Sequence, residues 1–246
     1  MQDLISQETI HIRYSDTDCN GNLKVSALLN FFQDAAAQSA ERLGFGYSTI
    51  YPQNLMWVLL KYRIEFSDYP VKVNQLTIKT QPRGYNRMFA YRNFEVFADG
   101  KLCGRTSSVW ALLNSKTLEI AHVGEVLKDN ENMIKFVPTE ADLKFSKLPV
   151  LTQVDYEETF KVRYNDIDLN MHANNGNYVI WAIEPLPYEW KHEKKLKNMD
   201  IVFKKEIKCG EQLTCKVQKL DEHNTLHSLI HAQTQEELCA IKCEWA

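Results

Sequence analysis

Four polar residues at alternate positions form the densest chemical pattern in the chain: Asp168, Asn170, His172 and Asn174. In an extended segment alternate side chains share one face, so the spacing predicts a carboxylate, two amides and an imidazole pointing the same way. Histidine is the side chain whose proton affinity suits acid–base work near neutral pH. The pattern therefore predicts an acid–base centre around His172.

A similar segment nearer the start of the chain distinguishes His172 from the other residues of this pattern. Residues 11–20 and 161–170 agree at five of ten positions when 150 is added to the number: Arg13, Tyr14, Asp16, Asp18 and Asn20. Asp168 and Asn170 recur in that copy, so they fit a shared turn as well as catalysis. His172 corresponds to Asn22, so a structural role common to both copies does not explain the imidazole. Capping of the next helix remains its alternative role.

A helix should begin near Asn175, directly after the pattern, and end or kink at Pro185 or Pro187. The first N–H groups of a helix lack partners within it and carry partial positive charge, so they can stabilise a developing oxyanion. In the first copy the corresponding helix should run from about Ser26, as N-cap, to Leu43.

A second internal sequence match, between residues whose numbers differ by 137, supports the first. Together the two matches predict two copies of one α+β unit. Each copy should hold a strand, a long helix and antiparallel strands that cover the helix. We expect strands at residues 57–66, 75–81, 89–98 and 102–113, and at 200–207, 212–220, 226–234 and 238–245. The expected boundaries are residues 1–130, a polar linker at 131–154, and residues 155–246. Two such units can pair their sheets side by side.

The composition fits a soluble globular protein, with 44% hydrophobic and 25% charged residues. A net charge of -3 gives no basic excess for nucleic-acid binding. The longest apolar run, residues 55–60, is too short to span a bilayer, and residues 1–8 do not resemble a signal peptide. The six cysteines lack zinc spacing. We therefore expect free thiols, a cytoplasmic protein, and neither a metal nor a cofactor.

The motifs resemble those of the acyl-ACP thioesterases, a plant and bacterial family with two tandem hot-dog domains. Asp168-Leu169-Asn170-Met171-His172-Ala173-Asn174-Asn175 matches the family pattern Asp-x-Asn-x-His-x-Asn-Asn. Further matching segments are Leu28-Leu29-Asn30, Trp57-Val58, Tyr69-Pro70, Arg105-Thr106-Ser107-Ser108-Val109-Trp110 and Phe203-Lys204-Lys205-Glu206. The resemblance covers nearly the whole chain.

This resemblance implies a hydrolase of fatty acid biosynthesis that cleaves acyl-ACP to free fatty acid and ACP. It implies catalytic roles for His172, Asn170, Asp168 and Glu206, and substrate-binding roles for three further residues: Asn174, Asn175 and Trp57. From the sequence alone, Glu206 in Lys-Lys-Glu-Ile-Lys fits a solvated charge run better. Plant members carry a cysteine after this glutamate, but Ile207 stands here. We therefore expect attack by water, with Glu206 or His172 as the base, instead of a covalent cysteine.

Three alternatives remain open: an acyl-CoA thioesterase of this fold, a hot-dog dehydratase, and a non-catalytic acyl-chain binding module. His172 with Asn170 argues against the last, because lipid binding needs few polar groups. The expected partner is an acyl carrier protein with an acyl-phosphopantetheine arm, docked on basic residues. The candidates are Arg83, Arg87 and Arg92 in the first half, and Lys191, Lys194, Lys195 and Lys197 in the second, which is favoured. A monomer and a homodimer both fit the sequence.

Overall fold

A computed structural model describes residues 3–246 of the chain; Met1 and Gln2, where the segment without signal-peptide character begins, lie outside them. The chain forms two compact units. Unit 1 comprises the residues up to Tyr14 together with Phe31–Ile64 and Lys72–Lys144. Unit 2 comprises Ser15–Asn30, Glu65–Val71 and Phe145–Ala246. Two segments of the first sequence copy are thus counted with unit 2.

Unit 1 is built on five antiparallel strands and one long helix. Its elements are β1 (Ser6–His11), α1 (Val25–Arg42, whose first turns are counted with unit 2), α2 (Tyr47–Ile50), β2 (Leu55–Phe66), β3 (Gln75–Tyr85), β4 (Phe89–Ala98), β5 (Lys101–Asn114), β6 (Ile120–Ala121) and α3 (Val123–Val126). The strand order is β1-β3-β4-β5-β2, and β6 pairs with β5.

The buried stripe of α1 includes Leu28, Leu29 and Phe32, which are fully buried. The Phe32 and Phe94 rings stack with centroids 4.6 Å apart, so the helix packs on the alternate residues of β4 that face it. The helix ends before Gly44, whose φ of 79° is the left-handed value that glycine tolerates. The predicted N-cap at Ser26 is wrong, because the helix begins at Val25 and Ser26 lies within the first turn.

Unit 2 repeats this plan. Its elements are β7 (Tyr156–Lys161), α4 (Asn175–Ile183), α5 (Tyr188–Glu193), β8 (Leu196–Phe203), β9 (Gln212–Lys219), β10 (Asn224–His231) and β11 (Glu237–Trp245), in the order β8-β11-β10-β9-β7. Helix α4 ends before Pro185, as predicted. The predicted strand at 200–207 is wrong in its limits. The N–H groups of Lys204 and Lys205 both donate to the carbonyl of Leu238, at 2.8 and 3.1 Å, and the regular ladder stops there.

Matching contacts confirm the internal repeat. The Oγ1 atoms of Thr9 and Thr77 lie 3.0 Å apart, and those of Thr159 and Thr214 lie 2.9 Å apart. Adding 150 and 137 converts the first pair into the second. Each unit also has the same strand order when β1, β3, β4, β5 and β2 are matched with β7, β9, β10, β11 and β8.

The polar stretch predicted as a linker includes a segment that packs on unit 1. Phe136 stacks on Tyr91 with ring centroids 4.0 Å apart, and Asp142 forms an ion pair with Arg83 at 2.8 Å. Burial favours the neutral form of Asp142, but the hydrogen bonds from Arg83 and its neighbours outweigh burial and hold the pKa below its usual range. Of the helices in the described part of the chain, none is long and apolar enough to cross a membrane.

Candidate active site

The segment that carries His172 is a tight turn. The N–H of Met171 donates to the carbonyl of Asp168 at 3.0 Å, and the N–H of Asp168 donates to the carbonyl of His172 at 2.9 Å. The prediction that residues 168–174 form one extended face is therefore wrong. Asp168 Oδ1 accepts the N–H of Asn170 at 2.8 Å, which is the local bond by which aspartate stabilises a turn. Met171 completes the reversal with a φ of 65°.

The buried residue Asp166 stabilises the turn through hydrogen bonds of its side chain and its backbone carbonyl. Asp166 is 2% exposed and accepts bonds from the backbone N–H and the guanidinium of Arg163, both at 2.7 Å. Burial favours its neutral form, but the hydrogen bonds and charge of Arg163 prevail and lower its pKa. The carbonyl of Asp166 accepts the backbone N–H of Asn174 and the amide of Asn177, each at 2.8 Å. These bonds fix the start of α4 relative to the turn.

Glu206 lies just beyond β8 on a segment held to the same helix. The hydroxyl of Tyr178, on α4, donates to the carbonyl of Lys205 at 3.2 Å, and the N–H of Ala173 donates to the carbonyl of Ile207 at 3.0 Å. The adjacent lysines are engaged elsewhere, since Lys204 pairs with Glu237 and Lys205 pairs with Glu236. The sequence alone did not lead us to predict this role of Tyr178, although its position on the apolar side of α4 indicates that it faces the interior.

The structure brings His172 and Glu206 together. His172 Nδ1 lies 3.0 Å from Glu206 Oε2, and the two side chains are 23% and 45% exposed. The carboxylate stands off the direction of the ring N–H, so the two atoms are in contact without an aligned hydrogen bond. Nδ1 itself is buried, so the exposed part of the side chain lies elsewhere. A carboxylate at Nδ1 favours the tautomer that carries its proton there and leaves Nε2 as a base.

The asparagine residues of this segment differ in their hydrogen bonds and in their exposure. Asn174 is the N-cap of α4, and its Oδ1 accepts the N–H of Gly176 at 2.8 Å. The N–H of Asn177 donates to the Asn174 carbonyl at 2.9 Å, so two N–H groups of the first turn are already used. The side chain of Asn170 is exposed and bonds to no residue among 3–246. Asn175 is the first residue of α4. Asn170 is therefore the freer donor for an oxyanion.

The first copy has the same backbone but lacks the acid–base pair. The N–H of Leu23 donates to the carbonyl of Pro70 at 3.0 Å, as Ala173 does to Ile207. Asn22 and Tyr69 therefore occupy the positions of His172 and Glu206. The Asn22 amide donates to Asp18 at 3.1 Å and the Tyr69 hydroxyl donates to the Leu23 carbonyl at 2.6 Å. Burial raises the pKa of Tyr69, so this position offers no ionised partner.

Trp57 lies in unit 1, at the edge of a buried apolar cluster. Its ring N–H donates to the carbonyl of Phe45 at 2.9 Å, and its ring meets the Phe45 ring edge to face. Both contacts suit a core residue. Its predicted substrate-binding role remains a prediction.

The basic residues that were predicted to form a docking surface differ in their exposure and in their contacts. Arg92 was expected at a docking surface, and this is wrong: it is 5% exposed, because it faces inward from β4. Arg83 is committed to Asp142. Arg87 and Lys195 are exposed, while Lys194 lies over the Trp190 ring at 5.7 Å. Arg87, Lys194 and Lys195 therefore remain as docking candidates.

The thiols are poorly placed for nucleophilic attack. Cys215, Cys239 and Cys243 are buried, and burial raises the pKa of each. Cys209 is exposed in the turn that ends at Gly210. Ile207, which directly follows Glu206, is fully buried.

Replacement of Cys209 or Cys215 by serine should leave most of the activity, apart from lost stability at the buried position. The reason is that neither thiol is needed as a nucleophile if water attacks. Steady-state rates of the thioester cleavage expected from the sequence measure this. An acyl-enzyme adduct on either cysteine, detected by mass spectrometry, would contradict the expectation.

Gly176 leaves room for three oxygen atoms at the start of α4. A Cβ there would lie 2.9 Å from Asn30 Oδ1 and 3.2 Å from both Asn174 Oδ1 and the Ser26 carbonyl oxygen. We expect Gly176→Ala to lower the free energy of unfolding by about 1 kcal/mol, since overpacking outweighs the better helix propensity of alanine. Urea denaturation measures this. Adding Asn30→Ala removes the shortest contact and should recover part of the loss; equal stability of the single variant and the wild type would contradict the argument.

Family models match both halves of the chain. The model described as the acyl-ACP thioesterase N-terminal domain matches residues 3–129, and the one described as the C-terminal domain matches residues 151–246. Among curated relatives, a chloroplastic acyl-[acyl-carrier-protein] hydrolase of Cuphea viscosissima is 26% identical over 221 residues, which are 85% of this chain and 53% of the relative. An oleoyl-acyl carrier protein thioesterase of Arabidopsis thaliana is 26% identical over 218 residues, with 81% and 59% covered. The chain spans little more than half the length of these relatives.

Solved structures match at full length. An acyl-ACP thioesterase from Bacteroides thetaiotaomicron has a TM-score of 0.85 and 27% identity, with 98% of each chain covered. The 12:0-ACP thioesterase from Umbellularia californica has a TM-score of 0.86 and 19% identity, with 100% of this chain and 98% of that chain covered. The second likeness concerns the fold alone. It confirms the predicted α+β fold of tandem hot-dog type.

Proposed function

Because the chain belongs to the acyl-ACP thioesterase family, we propose that it hydrolyses acyl thioesters carried by acyl carrier protein to a free fatty acid and ACP. The observation that carries the proposal is the contact between His172 Nδ1 and Glu206 Oε2 at 3.0 Å. An imidazole oriented by a carboxylate is a suitable base for activating water. The absence of such a pair at Asn22 and Tyr69 supports a single catalytic centre.

The proposed reaction has two steps. His172 Nε2 takes a proton from water while the oxygen attacks the thioester carbonyl carbon and the carbonyl electrons move to oxygen. The exposed amide of Asn170 donates to that oxyanion, and Glu206 keeps the proton of the imidazole on Nδ1. The intermediate then collapses, the C–S bond breaks, and the pantetheine sulfur leaves as a thiolate that accepts the proton from Nε2. A thiolate is stable enough near neutral pH to need little acid assistance.

In this scheme three residues shape the site and do not take part in proton transfer: Asp168, Asn174 and Asn175. Asp168 holds the backbone of Asn170, and Asn174 caps the helix that follows His172. Asn175 stands at the first helical position, where substrate can approach the helix start. These assignments make the turn a preorganised scaffold for the base and the oxyanion donor.

Thiol release from a panel of acyl-ACP and acyl-CoA substrates tests the function. We expect cleavage of acyl-ACP at a clearly higher kcat/KM than of the matching acyl-CoA, with one preferred range of chain length. A preference for acyl-CoA would favour the acyl-CoA thioesterase, and binding without thiol release would favour an acyl-binding module.

Docking of the acidic carrier should depend on Lys194 and Lys195. Raised ionic strength should increase the KM for acyl-ACP and leave the KM for a short acyl-pantetheine nearly unchanged, because salt screens complementary charge. Reversing both lysines to glutamate should mimic high salt. Arg87→Glu in unit 1 is the matched control and should have the smaller effect. If both substrates respond alike, the docking proposal is wrong.

The compartment and the assembly are part of the same proposal. The six cysteines all carry free thiols, which suits the reducing cytoplasm. The chain supplies two hot-dog units, so a monomer can provide the usual pairing by itself, and a homodimer remains compatible with it.

A further inference from the structure

The segment that carries Glu206, residues 204–208, belongs to no helix or strand. The Glu206 side chain is 45% exposed, so packing around it does not fix its position. Its two lysine neighbours pair with other glutamates. Its contact with His172 Nδ1 lacks an aligned hydrogen bond, so the contact does not fix the carboxylate either. The position of Glu206 therefore depends on the bonds that hold the backbone on each side of it.

Tyr178 of α4 contacts this segment at two points. Its ring meets the ring of Phe203, the last residue of β8, edge to face with centroids 5.7 Å apart. Its hydroxyl donates to the carbonyl of Lys205 at 3.2 Å. Burial raises the pKa of Tyr178 above its ordinary value, and the charge of Glu206 adds to this effect, so the hydroxyl keeps its proton and remains a donor.

The other side of Glu206 is held by the residue that follows His172. The N–H of Ala173 donates to the carbonyl of Ile207 at 3.0 Å. Glu206 thus stands between two carbonyls that are both bound to the stretch of chain from His172 into α4. Loss of either bond frees one side of Glu206 to move away from the imidazole.

The first copy has one of these two bonds and cannot form the other. The N–H of Leu23 donates to the carbonyl of Pro70 at 3.0 Å, at the positions that match Ala173 and Ile207. The two long helices begin at matching positions, 25 and 175, so adding 150 pairs Leu28 with Tyr178. Leu28 is fully buried but has no hydroxyl. Packing of the helix on the sheet explains a buried ring or leucine in both copies, but it does not explain the hydroxyl, which accompanies the acid–base pair.

We propose that Tyr178 is a positioning residue for the reaction, because its hydroxyl holds the Lys205 carbonyl and thereby keeps the Glu206 carboxylate at His172 Nδ1. The hydroxyl bonds to backbone, so it acts through Glu206 and not on the substrate. The consequence for catalysis rests on the proposed function, whereas the arrangement of the pair exists in the free protein. Without the hydroxyl, Glu206 moves, and the imidazole loses the carboxylate that favours a proton on Nδ1 and a free Nε2.

The first test needs no turnover. Long-range ¹H–¹⁵N NMR spectra of the whole chain without substrate, at mildly alkaline pH, report which ring nitrogen of each histidine carries the proton; the signal missing from His172→Ala assigns His172. We expect the proton on Nδ1 in the wild type and mainly on Nε2 in Glu206→Ala. Tyr178→Phe, which keeps the ring against Phe203, should move the proton in the same direction. A wild-type distribution in Tyr178→Phe overturns the proposal.

Tyr69→Phe is the matched control, because it removes a hydroxyl that donates to a backbone carbonyl, that of Leu23, at 2.6 Å in the first copy. It should lower the stability but leave the His172 proton and kcat unchanged, so an equal change in both variants overturns the proposal.

The second test is the coupling between Tyr178 and Glu206 in turnover. Tyr178→Phe should lower kcat for acyl-ACP about tenfold, the order of loss that a displaced reacting group causes, with little change in KM. In a Glu206→Ala background the same substitution should add little, because the group that it positions is already gone. Fully additive losses overturn the proposal. A wild type that cleaves no acyl-ACP contradicts the proposed function, and the NMR comparison then decides the role of Tyr178 by itself.

Discussion

His172→Ala should lower the turnover of acyl-ACP by about a hundredfold or more, which is the usual contribution of a general acid–base group. The imidazole is the group whose Nδ1 contacts Glu206 at 3.0 Å, so its removal takes away the base and leaves the carboxylate without its partner. The side chain is partly exposed, and the turn around it is held by backbone bonds that the substitution keeps. We therefore expect normal folding with lost catalysis. Single-turnover rates and the urea midpoint measure the two separately.

Two controls make this result specific. Asn22→Ala alters the corresponding position of the first copy and should change turnover little, although it removes the amide bond to Asp18. Glu206→Gln keeps the shape of the side chain but removes the charge at Nδ1, so it should lower kcat and shift the pH dependence of kcat. Near-wild-type hydrolysis by His172→Ala would falsify the assignment. An unchanged pH profile for Glu206→Gln would show that the carboxylate does not act through the imidazole.

The repeat made much of the fold predictable. The two sequence offsets of 150 and 137 predicted which segments correspond, and the threonine pairs Thr9–Thr77 and Thr159–Thr214 follow both offsets. Helix ends were predictable where the backbone is constrained, at Gly44 and before Pro185. The spacing alone also identified His172 as the residue that breaks the repeat, because its counterpart is Asn22.

The local geometry of the site was less predictable. Alternating polar residues predicted an extended face, but the bond from Asn170 N–H to Asp168 Oδ1 makes a turn instead. Nothing in the period-two spacing distinguishes these outcomes, since turn formation depends on side-chain bonds to the backbone. Only tertiary contacts distinguish Glu206 from a solvated charge. The neighbouring Lys204 and Lys205 pair with glutamates in β11 and in the turn before it, and these partners are remote in sequence.

Arg92 illustrates an error that period-two reasoning could have avoided. Along β4 the residues Ala90, Phe94 and Val96 alternate with more exposed ones and predict an inward face. Arg92 shares their parity and is buried with them. A basic residue on the apolar side of a strand is therefore a poor candidate for a docking surface.

Acid should destabilise the protein through His227, a residue that the sequence analysis did not single out. His227 is fully buried, and burial lowers its pKa to about 4, an effect only partly offset by its bond to the carbonyl of Ala182. Its Nδ1 lies 2.7 Å from that carbonyl, at the end of α4, and its Nε2 lies 2.8 Å from the Thr225 hydroxyl. Thr225 Oγ1 in turn accepts the indole N–H of Trp245 at 2.8 Å. The neutral imidazole is thus satisfied on both sides.

The sign of the effect follows from the direction of the pKa shift. The unfolded chain binds a proton at His227 below pH 6.5, the ordinary value, whereas the folded chain resists protonation down to about pH 4. The stabilisation is therefore fully present above pH 6.5 and is lost as pH falls through this window, by roughly 1.4 kcal/mol per pH unit and about 3 kcal/mol in all. His227→Gln removes the titrating group while an amide can still bond to Ala182 and Thr225, and it leaves the other six histidines in place. Urea denaturation at a series of pH values should give a steeper loss of stability for the wild type than for this variant. Parallel slopes would mean that His227 charges in the folded state, and that the helix after His172 is not held by a neutral imidazole.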